Sequence, residues 1–297
     1  MAGQFAARGH RNWLLFLLAA TLSFGSAAAE RSIPKRIVST APSLTEMLFA
    51  LELGERVVGA TTYCNHPEAA QTIPRIGDFA SPSLEAILRQ RPDLILVLKG
   101  RGQLERNLRA LRVPILALGH ETLRDILDSI RMLAKATGAD LRGERLAAEI
   151  SGQMEKVAKR RRNGPRPQVL FLVGRNPGSL SHLYAAGPRS YLGELIRLAG
   201  GENFVRDLRS PYPKVTVEEV MRRNPDVIID MSMAHGESPG WESSPDLAEL
   251  WARFSGLQAV GKERIHTVSD DIFLLPGPRV AQAVLRLESL IFGGPAQ

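Results

Sequence analysis

The chain has 297 residues, 23% of them charged, and a formal net charge of +7. This length allows one large domain or two ordinary ones. The mild basic excess comes partly from a cluster within 156–166, which ends a helical pattern just before Asn163-Gly164-Pro165. We interpret that cluster as a solvated helix end, where positive charge is favourable, and do not expect a nucleic-acid partner. Cys64 is the only cysteine, so an intramolecular disulfide is excluded.

The first 29 residues have the pattern of a cleavable secretory signal. Arg8 and Arg11 precede an apolar run from Trp13 to Phe24, and small residues follow it. The run is shorter than the ~20 residues that span a bilayer. No cysteine stands where a lipoprotein would need one. We therefore expect an exported, soluble protein, cleaved near Ala29/Glu30, whose net charge without the two arginines is +5.

The segment 36–138 alternates short apolar runs with helical patterns. We predict strands at 37–39, 57–59, 94–98 and 114–118. Ser43 with Glu46 has the spacing of a capping box, which predicts a helix from Leu44 to about Leu53 that ends at Gly54. A second helix begins at Pro82-Ser83 and ends before Pro92. Strands that alternate with helices of this length predict βαβ units and a parallel sheet.

A long amphipathic helix is predicted over 139–163. Leu146, Ile150, Met154 and Val157 follow one another at helical spacing, and Gly164-Pro165 ends the pattern. Beyond it the α/β pattern restarts, with strands at 169–173 and 227–229 and a capping box at Thr216 and Glu219. The predicted fold is therefore α/β, with two parallel-sheet lobes at 36–138 and 165–297 bridged by one long helix.

An internal repeat supports two similar lobes. The segment SLEAILRQRPDLILV begins at Ser83, and TVEEVMRRNPDVIID begins 133 positions later at Thr216. Identical residues occupy five of the aligned positions: Glu85 and Glu218, Arg89 and Arg222, Pro92 and Pro225, Asp93 and Asp226, Ile95 and Ile228. A looser repeat relates PSLTEMLFALELGERVV to SYLGELIRLAGGENFV and aligns Glu46 with Glu194.

Loops that follow the predicted strands should line a cleft between the lobes, because open parallel sheets bind ligands beyond the carboxyl ends of their strands. These loops contain Tyr63, Phe79, Tyr212 and Trp241, and also Ser43 and Lys99. Four loop aromatics favour a large, flat, partly apolar ligand, although each one alone is equally typical of core packing.

Catalytic motifs are weak. Gly256 to Lys262 fits GxxxxGK, but Glu263 stands where a phosphate loop requires Ser or Thr. No GxSxG or HExxH occurs, and the histidines lack metal-ligand spacing. We expect no catalytic residue, no metal site and no cofactor. A secreted two-lobed α/β enzyme stays the alternative from a different class.

Five stretches resemble, in order, the periplasmic cobalamin and iron-siderophore binding proteins of ABC importers: RIVSTAPSLTEMLFALELGERVVGATTYCNHPEAA, IGDFASPSLEAILRQRPDLIL, LIRLAGGENFV, YPKVTVEEVMRRNPDVII and DIFLLPGPRVAQAV. The resemblance covers nearly the whole chain after the signal. It implies a helical-backbone fold, a small-molecule ligand held between two lobes, a monomer in the periplasm, and an ABC permease as partner.

The resemblance also implies roles for single residues. Glu85 and Glu218 match the surface glutamates, one on each lobe, that dock against arginines of a two-fold symmetric permease. The residues alone equally allow a complement to a helix N-terminus. Tyr63, Phe79 and Tyr212 match aromatics that contact the corrinoid in cobalamin-binding members. Asp270 and Arg279 match an acidic residue and an arginine of a C-terminal loop.

The favoured ligand is cobalamin or a related corrinoid, and a ferric siderophore or haem is the alternative. Leu98 stands near a position where the corrinoid binders have a tryptophan, which reduces the stacking area. An anionic ligand would be bound by the nearby cationic side chains, Lys99, Arg101, Arg175 and Arg279. Tyr63, His66 or Cys64 could ligate a metal ion in the ligand.

Overall fold

The computed structural model describes residues 33–160, 163–231 and 247–293. The predicted signal segment and Trp241 lie outside these ranges. The strands are β1 (Ile37–Ser39), β2 (Val57–Ala60), β3 (Leu94–Leu98), β4 (Ile115–Leu118), β5 (Gln168–Gly174), β6 (Leu183–Ala185), β7 (Glu202–Asn203), β8 (Lys214–Val215), β9 (Val227–Asp230) and β10 (Ile265–Thr267). The helices are α1 (Pro42–Ala50), α2 (Leu84–Arg89), α3 (Gly102–Arg109), α4 (Leu123–Thr137), α5 (Asp140–Arg160), α6 (Tyr191–Leu198), α7 (Val217–Arg223), α8 (Leu247–Ala252), α9 (Gln258–Gly261) and α10 (Val280–Phe292).

The first sheet is parallel throughout, in the order β2-β1-β3-β4. All five residues of β3 are buried, as expected for an apolar strand covered on both faces. The carboxyl ends of the four strands meet at one edge. The predicted α/β class and the strands of this half are therefore confirmed.

The second sheet has a parallel core and an antiparallel edge. Strands β10, β9 and β5 are parallel neighbours, and β7 also pairs with β5 in parallel. Strands β6 and β8 pair antiparallel at the other edge. Only 175–182 connect β5 to β6, too short for a helical crossover, so β6 must return antiparallel. The pattern did not predict this edge.

Helix α5 lies between the two sheets in the chain and packs against α4 and α10. Its 21 residues span about 30 Å, and its buried face carries Gly143, Ala147, Ile150, Met154 and Val157. A Cβ at Gly143 would lie 2.3 Å from the Cβ of Ala134, so α4 and α5 approach closely there. The long helix is confirmed, whereas the lobe limits 36–138 and 165–297 stay a prediction.

One hydrophobic core continues through both halves of the chain. Residues of the first sheet that face α1 and α5, such as Leu96, belong to the same buried cluster as Phe171 of the second sheet and Leu287 of α10. Alternate residues of each sheet face a separate core: Ile95 in the first sheet and Ile228 in the second. Each sheet therefore packs one face on the shared core and its other face on a core of its own.

Two predicted helix signals are wrong. Helix α1 begins at Pro42 after Ala41, and no side chain caps it, so Ser43 lies inside the helix. Proline at the first helical position starts the helix without a capping box. Gly54 opens a 3₁₀ turn, and the helix ends earlier, at Ala50 with Leu51 as its C-cap. Thr216 does cap α7 by accepting from the Glu219 N–H, but the Glu219 carboxylate contacts Arg223 at 2.7 Å.

Candidate functional site

Two of the predicted ligand aromatics lie in loops and are exposed. The exposed fraction is 51% for Tyr63, which follows β2, and 43% for Tyr212, which precedes β8. Burial of the Tyr212 hydroxyl raises its pKa, and Glu121, which follows β4 in the first half, raises it further. Tyr212 therefore lies within electrostatic reach of the carboxyl edge of the first sheet.

Phe79 is fixed by an arginine that the sequence analysis treated only as a possible anion ligand. The Arg101 guanidinium lies 4.2 Å from the centroid of the Phe79 ring. Its Nη1 donates to the Phe79 carbonyl at 2.5 Å, and its Nη2 donates to the Ala80 carbonyl at 2.9 Å. Burial lowers the pKa of Arg101. The loop carrying Phe79 is thereby fastened to the loop after β3.

Arg279 binds two carboxylates, one on the first half of the chain and one on its own half. Its Nε and Nη2 donate to Glu46 of α1 at 2.9 and 2.5 Å, and its Nη1 and Nη2 donate to Asp271 at 2.8 and 2.9 Å. Gly277 also rests on α1, because a Cβ there would lie 3.4 Å from the Ser43 Cβ. We call Glu46, Asp271 and Arg279 the clamp.

The clamp residues have shifted pKa values with distinct causes. Burial raises the pKa of Glu46, and the hydrogen bonds from Arg279 oppose that rise. Hydrogen bonds from Arg279 lower the pKa of Asp271. Burial works to lower the pKa of Arg279 itself, but the two carboxylates outweigh it and the net pKa is raised. The shifts favour the charged forms of Asp271 and Arg279, whereas Glu46 is the clamp carboxyl whose pKa is raised.

The repeat partner of Glu46 makes the reciprocal link. Glu194 on α6 accepts a hydrogen bond from the backbone N–H of Leu123, the first residue of α4, at 2.8 Å. A carboxylate at a helix N-terminus is favourable. One glutamate from each half thus binds the other half. The sequence alignment paired these residues but did not indicate this role.

The remaining predicted ligand residues differ in accessibility. Ser43 is buried at 2% exposure, and Lys99 is exposed directly after β3. The Asp270 carboxylate lies 3.6 Å from Arg286. Trp241 is outside the described residues. The ligand roles of Tyr63, Phe79, Tyr212, Asp270, Arg279, Ser43 and Lys99 stay predictions.

The structure also shows buried polar groups whose contacts and environment the sequence analysis did not predict. The Arg175 Nε donates to Asp230 at 2.6 Å, and both side chains are fully buried. Tyr191, on α6, is 5% exposed, and its hydroxyl has no hydrogen-bond partner among the described residues. Burial raises its pKa well above 10, so the phenol stays protonated. The sequence signal for the Arg175–Asp230 pair is a charged residue where each apolar strand ends: Arg175 ends VGR and Asp230 ends IID.

In the ranges that the structure covers, no three His, Cys, Asp or Glu side chains are placed to hold a metal ion. Cys64 is buried, and its Sγ lies 3.1 Å from the Thr45 hydroxyl and 3.2 Å from the Thr61 hydroxyl. These contacts are typical of a packed structural thiol.

A cavity of about 380 Å³ opens beside Phe79. The loop before α2 and the first turns of α3 line it, including Ser81, Arg101, Gln103 and Asn107. None of the residues predicted to contact a corrinoid lines it, although Arg101, a candidate for an anionic ligand, does. All of its walls come from the first half, so we do not equate it with a cleft between the halves.

Both predicted docking glutamates are exposed in the first turn of a short helix. Ser83 caps α2 by accepting from the Ala86 N–H, as Thr216 caps α7. The Glu85 side chain is 84% exposed. A backbone N–H and the Thr216 hydroxyl lower the pKa of the exposed Glu218. Their docking role stays a prediction.

Comparison with known proteins places the chain. The family model described as periplasmic binding protein matches residues 37–271. The chain belongs to the periplasmic binding protein family. This confirms the family resemblance seen in the sequence, and the members of this family bind solutes and deliver them to transporters.

Relatives of known name differ in their ligands. A Vitamin B12-binding protein of Pectobacterium atrosepticum is 30% identical over 283 residues, covering 93% of this chain and 92% of the relative. An uncharacterized ABC transporter substrate-binding lipoprotein, YvrC of Bacillus subtilis, is 24% identical over 271 residues, covering 87% of this chain and 80% of the relative. The solved structure of the periplasmic heme-binding protein RhuT from Roseiflexus sp. RS-1 superimposes with a TM-score of 0.72 and 29% identity, covering 89% of this chain and 99% of that one.

Across the described ranges, no helix combines the length and apolar character needed to cross a bilayer.

Proposed function

We propose that this family member captures cobalamin or a related corrinoid between its two lobes and delivers it to an ABC importer. The observation that supports the proposal is the exposure of two loop tyrosines, Tyr63 in the first half of the chain and Tyr212 in the second, with Tyr212 within electrostatic reach of Glu121 in the first half. A relative named for vitamin B12 that matches over 93% of the chain supports the choice of ligand. No bond is made or broken in this function.

The chemistry of the predicted residues suits a corrinoid. A corrin ring offers broad apolar faces with an amide fringe and little net charge. Tyr63, Phe79, Tyr212 and Trp241 would contact the ring faces, where aromatic side chains bury large area at small entropic cost. Lys99 and Asp270 would meet the amide fringe, and Ser43 and Arg279 would hold the lobe edges around the ligand. The protein would act in the periplasm after cleavage near Ala29/Glu30.

Haem or a ferric siderophore is the second candidate, favoured by the 29% identity to a heme-binding structure. Anionic ligands of this class are held by Arg and Lys. Three of the four cations considered for that role already donate to acceptors of the protein itself: Arg101, Arg175 and Arg279. Because these arginines already bond to acceptors of the protein, fewer donors remain for an anionic ligand, which favours the neutral corrinoid.

Calorimetric titration tests the proposal. The mature protein, from Glu30 onward, is titrated with cyanocobalamin, haem and ferric enterobactin. We expect one-to-one binding of cyanocobalamin alone, weakened about tenfold or more by Tyr63→Ala or by Tyr212→Ala. Tyr184→Ala is the matched control, because Tyr184 is 42% exposed but lies within β6 and not in a predicted ligand loop.

Binding of haem or the ferric complex without binding of cyanocobalamin would transfer the site to the second candidate. Equal losses in the Tyr184 variant would contradict the placement of the site between the halves.

The docking part of the proposal assigns Glu85 and Glu218 to contacts with the permease. Two exposed carboxylates at equivalent positions of a repeat suit a partner with two equivalent basic sockets.

A further inference from the structure

The repeated segments share a second surface feature besides their glutamates. Leu88 is 48% exposed and Met221 is 37% exposed, and they occupy equivalent positions 133 residues apart. Each stands three residues after a predicted docking glutamate, on α2 and α7 respectively. Among the large hydrophobic side chains that are exposed in the described ranges, these two alone form such a repeat pair.

Other shared positions of the repeat have structural roles. The Asp93 carboxylate accepts from the backbone N–H groups of Lys35 and Arg36 at 2.8 and 2.9 Å, just before β1. Asp226 likewise accepts from the Gln168 N–H at 3.0 Å, at the start of β5. The folding of each half accounts for both aspartates.

The apolar positions of the repeat divide in the same way. Ile87 and its equivalent Val220 are fully buried at 0% exposure, as a helix face that packs on a sheet must be. Leu88 and Met221 lie outside that face. Packing on the sheet therefore accounts for the first pair and does not account for the exposed surface of the second pair.

The exposed residues of each segment lie together. Residues at positions i, i+3 and i+4 share one helix face. On α2 these are Glu85, Leu88 and Arg89, where the two charged side chains lie 3.7 Å apart and are 84% and 69% exposed. On α7 they are Glu218, Met221 and Arg222, the last with a side chain 72% exposed. We call these two sets the docking triplets.

We propose that Leu88 and Met221 enter two equivalent apolar sockets of the permease, each beside the group that receives the neighbouring glutamate. This inference rests on the proposed function and extends it. A single chain that presents the same triplet twice fits a partner with two equal sites, which a two-fold symmetric permease provides. Apolar burial is not screened by salt, so it would maintain docking where salt weakens the glutamate contacts.

The test compares two kinds of variant at two salt concentrations. The partner is the ABC permease complex purified from membranes of the source organism and embedded in lipid nanodiscs. Its Kd for the mature protein is measured at 50 mM and 500 mM NaCl. The apolar variant is Leu88→Gln with Met221→Gln, since glutamine keeps the length and the helix propensity. The charge variant is Glu85→Lys with Glu218→Lys, and the control is Leu141→Gln, at an 84% exposed leucine of α5.

We expect the apolar variant to raise Kd at least tenfold at both salt concentrations, with its ligand affinity and unfolding midpoint unchanged and the control equal to wild type. An apolar variant that binds the permease like wild type would refute the inference. If the charge variant alone lost binding, docking through Glu85 and Glu218 would stand and the apolar sockets would be refuted. A wild-type protein that binds neither ligand nor any permease complex would refute the proposed function instead. Light scattering that shows a dimer lost in the apolar variant would reassign the triplets to self-association and also overturn the inference.

Discussion

Replacing Arg279 by methionine should destabilise the fold in a pH-dependent way. The side chain of Glu46 is 3% exposed and that of Arg279 is 13% exposed, so the variant leaves a carboxylate buried without its cation. Breaking a buried pair from one side costs about 3–5 kcal/mol. The bond to Asp271 adds little, because that side chain is 52% exposed. We expect a loss of about 3 kcal/mol at pH 7.5, the low end because Glu46 can take up a proton.

The loss should shrink as the pH falls. Burial already raises the pKa of Glu46, and removing Arg279 raises it further. The folded variant then holds a proton that the unfolded chain releases, so its free energy of unfolding rises as the pH falls from 7.5 towards the usual pKa of a glutamate. The slope is at most about 1.4 kcal/mol per pH unit.

Urea unfolding followed by circular dichroism at pH 7.5 and 5.5 measures both effects. The thermal midpoint at pH 7.5 should fall by about 6–12 °C. Arg286→Met, which removes the half-exposed partner of Asp270, is the control and should cost less than about 1 kcal/mol. A variant with methionine at both Glu46 and Arg279 should recover most of the stability. A loss below 1 kcal/mol for Arg279→Met, or one independent of pH, would refute our account of the clamp.

Three further perturbations test other parts of the structure. Gly143→Ala should lower the free energy of unfolding in urea by about 1–3 kcal/mol, because its Cβ would collide with Ala134. Gly152→Ala, on the same helix with open space around it, should raise that free energy by up to about 1 kcal/mol. Equal effects of the two substitutions would contradict the close approach of α4 and α5. Asp271→Asn should lower the free energy of unfolding at neutral pH. It should match wild type once the pH falls below the lowered pKa of Asp271, because the carboxylate stabilises the fold only while it is charged. A difference in unfolding free energy that persists in acid would contradict the proposed ion pair of Asp271 with Arg279. Reversing both Glu85 and Glu218 to lysine should abolish ligand transport by cells and leave the calorimetric ligand affinity unchanged; lost affinity would place these residues in the binding site instead.

Local patterns predicted much of the fold. Apolar runs such as 94–98 predicted the parallel strands, and the spacing of Leu146, Ile150, Met154 and Val157 predicted α5. The capping box at Ser43 was wrong because Glu46 satisfies Arg279, 233 positions away, instead of the local backbone. A short-range motif cannot reveal a partner that only the tertiary fold supplies.

The site was predictable in type more than in detail. Loop positions pointed to Tyr63 and Tyr212, and both side chains are exposed, while their ligand role stays a prediction. That Arg101 would lie over Phe79, and that Arg175 would be buried against Asp230, depended on how loops distant in sequence meet. Charge alone made these arginines candidates for an anionic ligand, whereas their geometry commits them to the protein.

The shared core has a consequence for how this molecule comes apart. Phe171 and Leu287 from one half and Leu96 from the other are buried in a single cluster, so neither half has a complete interior alone. A chain cut at Gly164 would expose apolar faces on both fragments, and we expect neither fragment to fold without the other. Heat should therefore melt the whole molecule in one cooperative transition, and a ligand that touched only one half would still protect both.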